Sequence, residues 1–121
     1  MPLDAEPYLS LATFRKSGAA VATPVWFARS GERLYVFSEG KAGKVKRLRN
    51  SSRARVAPCD MRGRLLGEWQ DAQARVVGDT AAIERAYAAL HAKYGWQMWI
   101  GDVLSRLAGR YDRRAIIEID A

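Results

Sequence analysis

The 121 residues predict a mainly β fold, α+β by count: a six-stranded antiparallel small barrel with three helices. Three observations predict it. Segments of strand-like alternation are joined by short glycine turns, which implies antiparallel pairing. A single basic helix interrupts them. After Val77 the apolar spacing changes to three and four residues, the period of a helix face, and alternation returns only at the C-terminus. Six such strands with few helices suit a small barrel.

In chain order, Tyr8 to Phe14 alternates as a first strand, and Arg15-Lys16-Ser17-Gly18 turns it back. Ala20 to Ala28 reads as the second strand, paired with the first as a hairpin. It contains Pro24, which cannot donate to a ladder, so an edge partly unpaired around Thr23-Pro24-Val25 is expected. Ser30-Gly31-Glu32 turns into a third strand, Arg33 to Ser38. A short helix, about Ala42 to Asn50, follows. Arg53 to Pro58 is the fourth strand, Cys59 to Gly67 a loop, and Glu68 to Val77 the fifth strand. That strand is weakly apolar on both faces, so one face is expected to meet a partner or a wet cavity.

Ile83, Ala86, Tyr87, Leu90 and Tyr94 then mark a helix, capped by Asp79 or Thr80 and ended by Gly95. Trp99, Ile100, Val103, Leu104 and Leu107 mark another, stopping near Gly109, with Asp102 and Arg106 as an i,i+4 pair. Arg114 to Asp120 closes the chain as a strand with Ala115, Ile117 and Ile119 inward.

A chain of this length suits one domain, residues 1–121, and its 49% hydrophobic content permits a core. No apolar run approaches a membrane span, and the acidic start Met1 to Glu6 does not read as a signal peptide. Cys59 stands alone, which excludes an intrachain disulfide and fits a reducing cytoplasm. The formal charge of +7 points to anionic partners: nucleic acid, anionic lipid or a phosphorylated small molecule.

The nine residues Lys41 to Arg49 carry five cations and no acid. Lys41 and Lys44 fall at the start of the helix, where unpaired N–H groups and the helix dipole already favour an anion. An acid there would stabilise the helix; lysines instead make a site for a phosphate or carboxylate. Lys44 and Arg47 share a helix face, and Lys46 and Arg49 form the neighbouring row. The plain alternative is a solvated basic helix with Val45 and Leu48 packed beneath it.

Four stretches, in this order and spacing, carry a resemblance: Thr23-Pro24-Val25-Trp26-Phe27, Leu34-Tyr35-Val36, Gly43-Lys44-Val45-Lys46-Arg47-Leu48-Arg49 and Arg55-Val56-Ala57-Pro58-Cys59-Asp60. With Lys93-Tyr94-Gly95-Trp96 and Ala115 to Ile119, the chain resembles the deazaflavin (coenzyme F420)-dependent oxidoreductases of the pyridoxamine-phosphate-oxidase-like superfamily. The resemblance implies a split β-barrel forming a homodimer, with the cofactor in a groove at the subunit interface. It implies hydride transfer between F420 and a small conjugated substrate, or FMN in the same groove. It places the ligand phosphate on Lys44, with Lys41, Gly43 and Arg47 near. It lays Thr23, Pro24, Val25 and Trp26 along the ring, and brings Pro58 and Cys59 to the phosphate strand or ring edge. Trp96 and Trp99 would reach the groove from the partner subunit. No nucleic acid and no membrane partner is expected.

A deazaflavin brings its own hydride chemistry, so the chain needs neither nucleophile nor metal, and no catalytic residue is assigned. His91 is the sole histidine and reads as a surface or interface residue. Cys59 reads as packing unless exposed, and Trp26 serves equally as a core residue. Outside the enzyme class, the same cations fit a carrier of deazaflavin or a nucleic-acid-binding module.

Overall fold

The computed structural model describes residues 5–107 and 114–121. Strand β1 (Tyr8–Phe14) pairs with β2 (Ala20–Val25) as the expected hairpin. A short β3 (Ala28–Ser30) turns at Gly31, whose φ is 63°, into β4 (Arg33–Glu39). Helix α1 (Gly43–Asn50) leads to β5 (Arg53–Cys59) and β6 (Gln70–Val77). Helices α2 (Thr80–Tyr94) and α3 (Trp96–Leu107) precede β7 (Arg114–Asp120). The expected stop of the last helix near Gly109 lies outside the described residues.

All pairings are antiparallel, in the order β2-β1-β5-β6-β7-β4-β3. The sheet curls around one core. Leu9 and Leu11 of β1, Val25 of β2, Leu34 and Val36 of β4, Val56 of β5, Ala74 of β6 and Ile117 and Ile119 of β7 all point into it. Val45 and Leu48 make α1 the plug of this core. The two end strands, β2 and β3, are consecutive in the chain and yet do not pair, so the barrel stays split between them.

The strand read from Ala20 to Ala28 is thus two strands, which gives seven in place of six. The cause lies far along the chain. The Tyr94 hydroxyl accepts from the Phe27 N–H at 2.9 Å. It shares its own proton between the Phe27 carbonyl at 3.0 Å and the Pro7 carbonyl at 2.7 Å. Both backbone groups of Phe27 are therefore withdrawn from any ladder. The ring of Trp26 stacks on Tyr94 with centroids 4.3 Å apart and meets Phe37 edge-on. The Lys93 ammonium lies 3.4 Å from the Phe27 ring centroid.

Burial pushes the Tyr94 phenol up to about 12 from its ordinary 10.0. The folded state therefore holds this proton after the unfolded chain has lost it. Stability falls as pH rises through the window between those two values. Tyr94→Phe is expected to cost about 1–3 kcal/mol, because a buried N–H loses its acceptor, and to remove this alkaline loss. Urea unfolding at pH 8 and at pH 11 checks both parts.

Helix α2 starts as expected: the Asp79 carboxylate accepts from the Ala82 N–H at 3.1 Å. It ends at Gly95, whose φ is 58°. Ala86 and Leu90 pack it on the outer face of β3, β4 and β7. Helix α3 forms where the apolar spacing put it. Met98 and Asp102 are its buried residues, and the apolar series Trp99, Ile100, Val103, Leu104 and Leu107 faces outward. Asp102 does not wait on Arg106: Arg114 donates to it at 2.6 Å and the His91 Nε2 lies 2.8 Å away.

Candidate functional site

The split is built by register. Ala28 sits opposite Tyr35. Two residues earlier, Trp26 meets Phe37 only through ring edges. β2 ends at Val25 and pairs only with β1. Its outer edge, and the side of the last β4 residues beyond the three paired with β3, carry no ladder partner among the described residues. Thr23-Pro24-Val25 lie on the β2 border of the split.

Several of the residues picked from the sequence meet along β1. Val25 and Pro58 both flank Leu9, and Pro24 and Ala57 both flank Ser10. Thr23 and Val56 flank Leu11, and Cys59 pairs with Tyr8. The loop after β5 folds back on this corner. Leu66 N–H bonds the Pro58 carbonyl at 2.8 Å, and a Cβ on Gly67 would come within 2.8 Å of the Pro58 ring. Gly63, with φ 87°, passes close to Pro24. One hydroxyl stands out: Thr23 Oγ1 is buried with no hydrogen-bond partner among the described residues. A buried hydroxyl without a partner, on a border strand of the split, fits a ligand that brings a polar atom to it.

The basic start of α1 lies farther along β1. Ala42 occupies the N-cap of α1 without a side-chain bond, and no acid stands in the first turn. The Val45 and Lys46 N–H groups fold back to the Ala42 carbonyl, so those of Gly43 and Lys44 point out of the helix end. The Arg47 Nε donates to Thr13 Oγ1 at 2.6 Å. Its guanidinium lies over Gly43, where a Cβ would come within 2.7 Å of it. Gly43 thus leaves room for the Arg47 head. Lys44 is half-buried; burial first, and Arg47 second, hold its ammonium below the ordinary lysine value. Lys41 is exposed.

The two ends are tied by β1. Thr13, which holds Arg47, is three residues from Ser10, which pairs with Pro24. That separation is roughly 10 Å along a strand. Thr13 gave no signal in the sequence, because its partner is 34 residues away. A cleft of about 480 Å³ also has Arg47 in its wall, with Arg15, Lys16, Lys46 and Arg53. No acid lines it. Arg49, expected beside Lys46 in one row, lines a different cleft with Val76 and Ile83.

The remaining candidates are placed as follows. Cys59 is fully buried, and burial first, then Asp60 and Glu6, push its thiol up. It packs and is not poised as a nucleophile. Trp26 has one face taken by Tyr94. Trp96 and Trp99 are 70% and 62% exposed, away from this protomer's own core. Among the described residues no group of three His, Cys, Asp or Glu side chains could hold a metal ion. No helix among them is long and apolar enough to cross a membrane.

The fold has close counterparts among solved structures. The heme storage protein HutZ from Vibrio cholerae superposes with a TM-score of 0.72 at 14% identity, over 98% of this chain and 83% of that one. A FAD-binding protein from Mesorhizobium loti gives 0.63 at 19% identity, over 98% and 83%. A conserved hypothetical protein from Mycobacterium tuberculosis gives 0.67 at 17% identity, over 96% and 73%. At these identities the likeness is one of fold. No curated protein matches the chain in sequence. The pyridoxamine 5'-phosphate oxidase family matches over residues 2–121, from end to end of the split barrel and both ends of the opening. The chain belongs to the pyridoxamine 5'-phosphate oxidase family.

Proposed function

We propose that this protein is an oxidoreductase that binds coenzyme F420 in the split and uses it on a small conjugated substrate. The observations that carry the reading are the half-buried Lys44 at an uncapped helix start, Arg47 held beside it by Thr13, and the orphaned Thr23 hydroxyl on the β2 border of the split. Lys44, Arg47 and the Gly43 N–H hold the phosphate. Thr23 and the open edge of β2 bond the ring's polar rim, and Pro24 and Val25 support its surface. The roughly 10 Å between these ends suits the short polyol that links ring to phosphate. When bound, a deazaflavin supplies hydride transfer at its ring, and the chain's part is to orient it and leave one face open.

FMN is the second reading, since it shares ring, linker and phosphate. The acid-free cleft of Arg15, Lys16, Lys46 and Arg53 favours F420, whose glutamate tail adds carboxylates that FMN lacks. A binding or storage role without turnover is the third; the heme storage and FAD-binding proteins of the same fold favour it. The enzyme is read as a homodimer in a reducing cytoplasm, without nucleic acid as partner.

Titrations of the purified protein with F420 and with FMN, read by tryptophan fluorescence, separate these readings. Tight F420 and weak FMN binding is the expected result. Failure of both to bind below millimolar concentration ends the proposal. Turnover with a panel of enones then separates enzyme from carrier.

The buried ammonium adds a pH signature. Phosphate binding needs Lys44 charged, and its value in the free protein lies below that of an ordinary lysine. Affinity is expected to fall as pH rises through that lowered value, with proton uptake on binding in the same window. Isothermal titration in two buffers of different ionisation enthalpy measures the uptake.

A further inference from the structure

A second cleft lies where α1 ends, β6 ends, β7 begins and α2 begins. Its volume is about 530 Å³, within the roughly 300–1,000 Å³ usual for a small-molecule pocket. None of its walls belongs to β1, β2, β3 or β5, so it is separate from the split. It shares no residue with the cleft of Lys46 and Arg53 on the other side of α1.

The charged side chains in the wall are three arginines, with no acid among them. Two are already committed. Arg75 is held by Glu118 and Asp120, and Arg114 by Asp102. Arg49 has no hydrogen bond or ion pair among the described residues. Its other side chains are apolar, Leu48, Val76, Ile83 and Ile116 among them.

The backbone adds a donor. The Ala74 N–H leaves β6 sideways for the Ser52 carbonyl at 2.8 Å. Val76, two residues on, turns its N–H to the same side of the strand. No strand receives it there, because β5 begins only at Arg53, opposite Gln73. The chain before Arg53 is the end of α1, which packs beside β6. The Val76 N–H therefore points toward the end of α1 without a partner among the described residues.

We propose that this cleft binds a medium-chain monocarboxylate. The carboxylate lies between the Arg49 guanidinium and the Val76 N–H, and the aliphatic body covers Leu48, Ile83 and Ile116. One uncommitted cation matches one negative charge. A phosphate dianion would find its second charge facing arginines that already hold carboxylates. An amine would meet cations alone. The inference does not rest on the F420 reading, since the split and this cleft share no residue.

The test is calorimetric titration of the purified protein, without cofactor, using octanoate, octylamine and inorganic phosphate. Submillimolar binding of octanoate is expected, with the other two at least tenfold weaker. Arg49→Ala should weaken octanoate at least tenfold, and Arg49→Lys should restore most of the loss. Gly78 lines the same cleft, and a Cβ there meets open space. Gly78→Phe is thus expected to fold as wild type and to weaken octanoate by crowding. Lys46→Ala, in the neighbouring cleft, should leave octanoate affinity unchanged. Thermal unfolding of each variant tells a lost site from a lost fold. Absent octanoate binding overturns the proposal, as does equal binding of octylamine. So does Arg49→Ala lowering the melting temperature with affinity intact, which would make Arg49 only the cation of its own helix end. So does an octanoate site that fails with Lys46→Ala and survives Gly78→Phe.

Discussion

Lys44→Ala is expected to weaken F420 binding by about ten- to a hundredfold while leaving the fold intact. A charge-assisted contact to a phosphate is worth roughly 1.5–3 kcal/mol, and Lys44 is the half-buried member of the proposed phosphate site. The folded apoprotein should not suffer. Its lowered value means that the ammonium is penalised by burial, so removing the charge is expected to leave the melting temperature equal or higher. Loss of binding with gain of stability distinguishes a ligand site from a structural cation. Arg47→Ala should behave differently, since it also releases Thr13 and loses stability along with affinity. Titration and thermal unfolding on the same samples resolve the two. Equal, slight losses for Lys44→Ala, Lys46→Ala and Arg49→Ala, all steepening at low salt, would instead indicate diffuse polyanion binding.

The second large effect concerns stability. Glu118 of β7 is 4% exposed and sits on the outer face between β4 and β6. Tyr35 donates to it at 2.8 Å, Arg75 at 3.0 Å and Arg33 at 3.2 Å. Asp120, two residues on, accepts from the same two arginines. Glu118→Ala leaves the Tyr35 hydroxyl without this acceptor and two guanidinium groups facing only Asp120. The arginines are partly exposed, which limits the loss to about 3 kcal/mol, or a drop of about 10 °C in melting temperature. Calorimetry measures it, and a change under 1 kcal/mol would show the cluster to be ornamental. The hydrogen bond from Arg75, foremost, holds Asp120 below the usual carboxylate range. Its contribution is present above pH 3.8 and is lost as pH falls through the lowered value.

Local chemistry was legible in the sequence. Alternation in Tyr8–Phe14, the Gly18 turn, the Asp79 cap and the Gly95 stop each depend on neighbours a few residues apart, and each is where the pattern put it. What was hidden depends on distant partners. The second strand breaks at Phe27 because a hydroxyl 67 residues away takes its backbone. The outward face of α3 could not be read from periodicity, which marks an apolar stripe without saying which side is covered. The buried Asp102, bound to Arg114, decides that. At the site, the basic turn and Pro24 were legible as residue types in unusual places. The brace from Arg47 to Thr13 and the lining of different clefts by Lys46 and Arg49 were not, because helix rows do not reveal which strand lies beneath them.

The two unpaired strand borders at the split carry a liability as well as a use. A bare edge recruits any passing extended chain, so an empty protein is a template for its own aggregation. Pro24, lacking an N–H, interrupts that template one residue before the end of β2. A ring seated in the gap would occupy the same hydrogen-bonding row. Shelf life in concentrated solution should therefore lengthen with cofactor present, and Pro24→Val should shorten it.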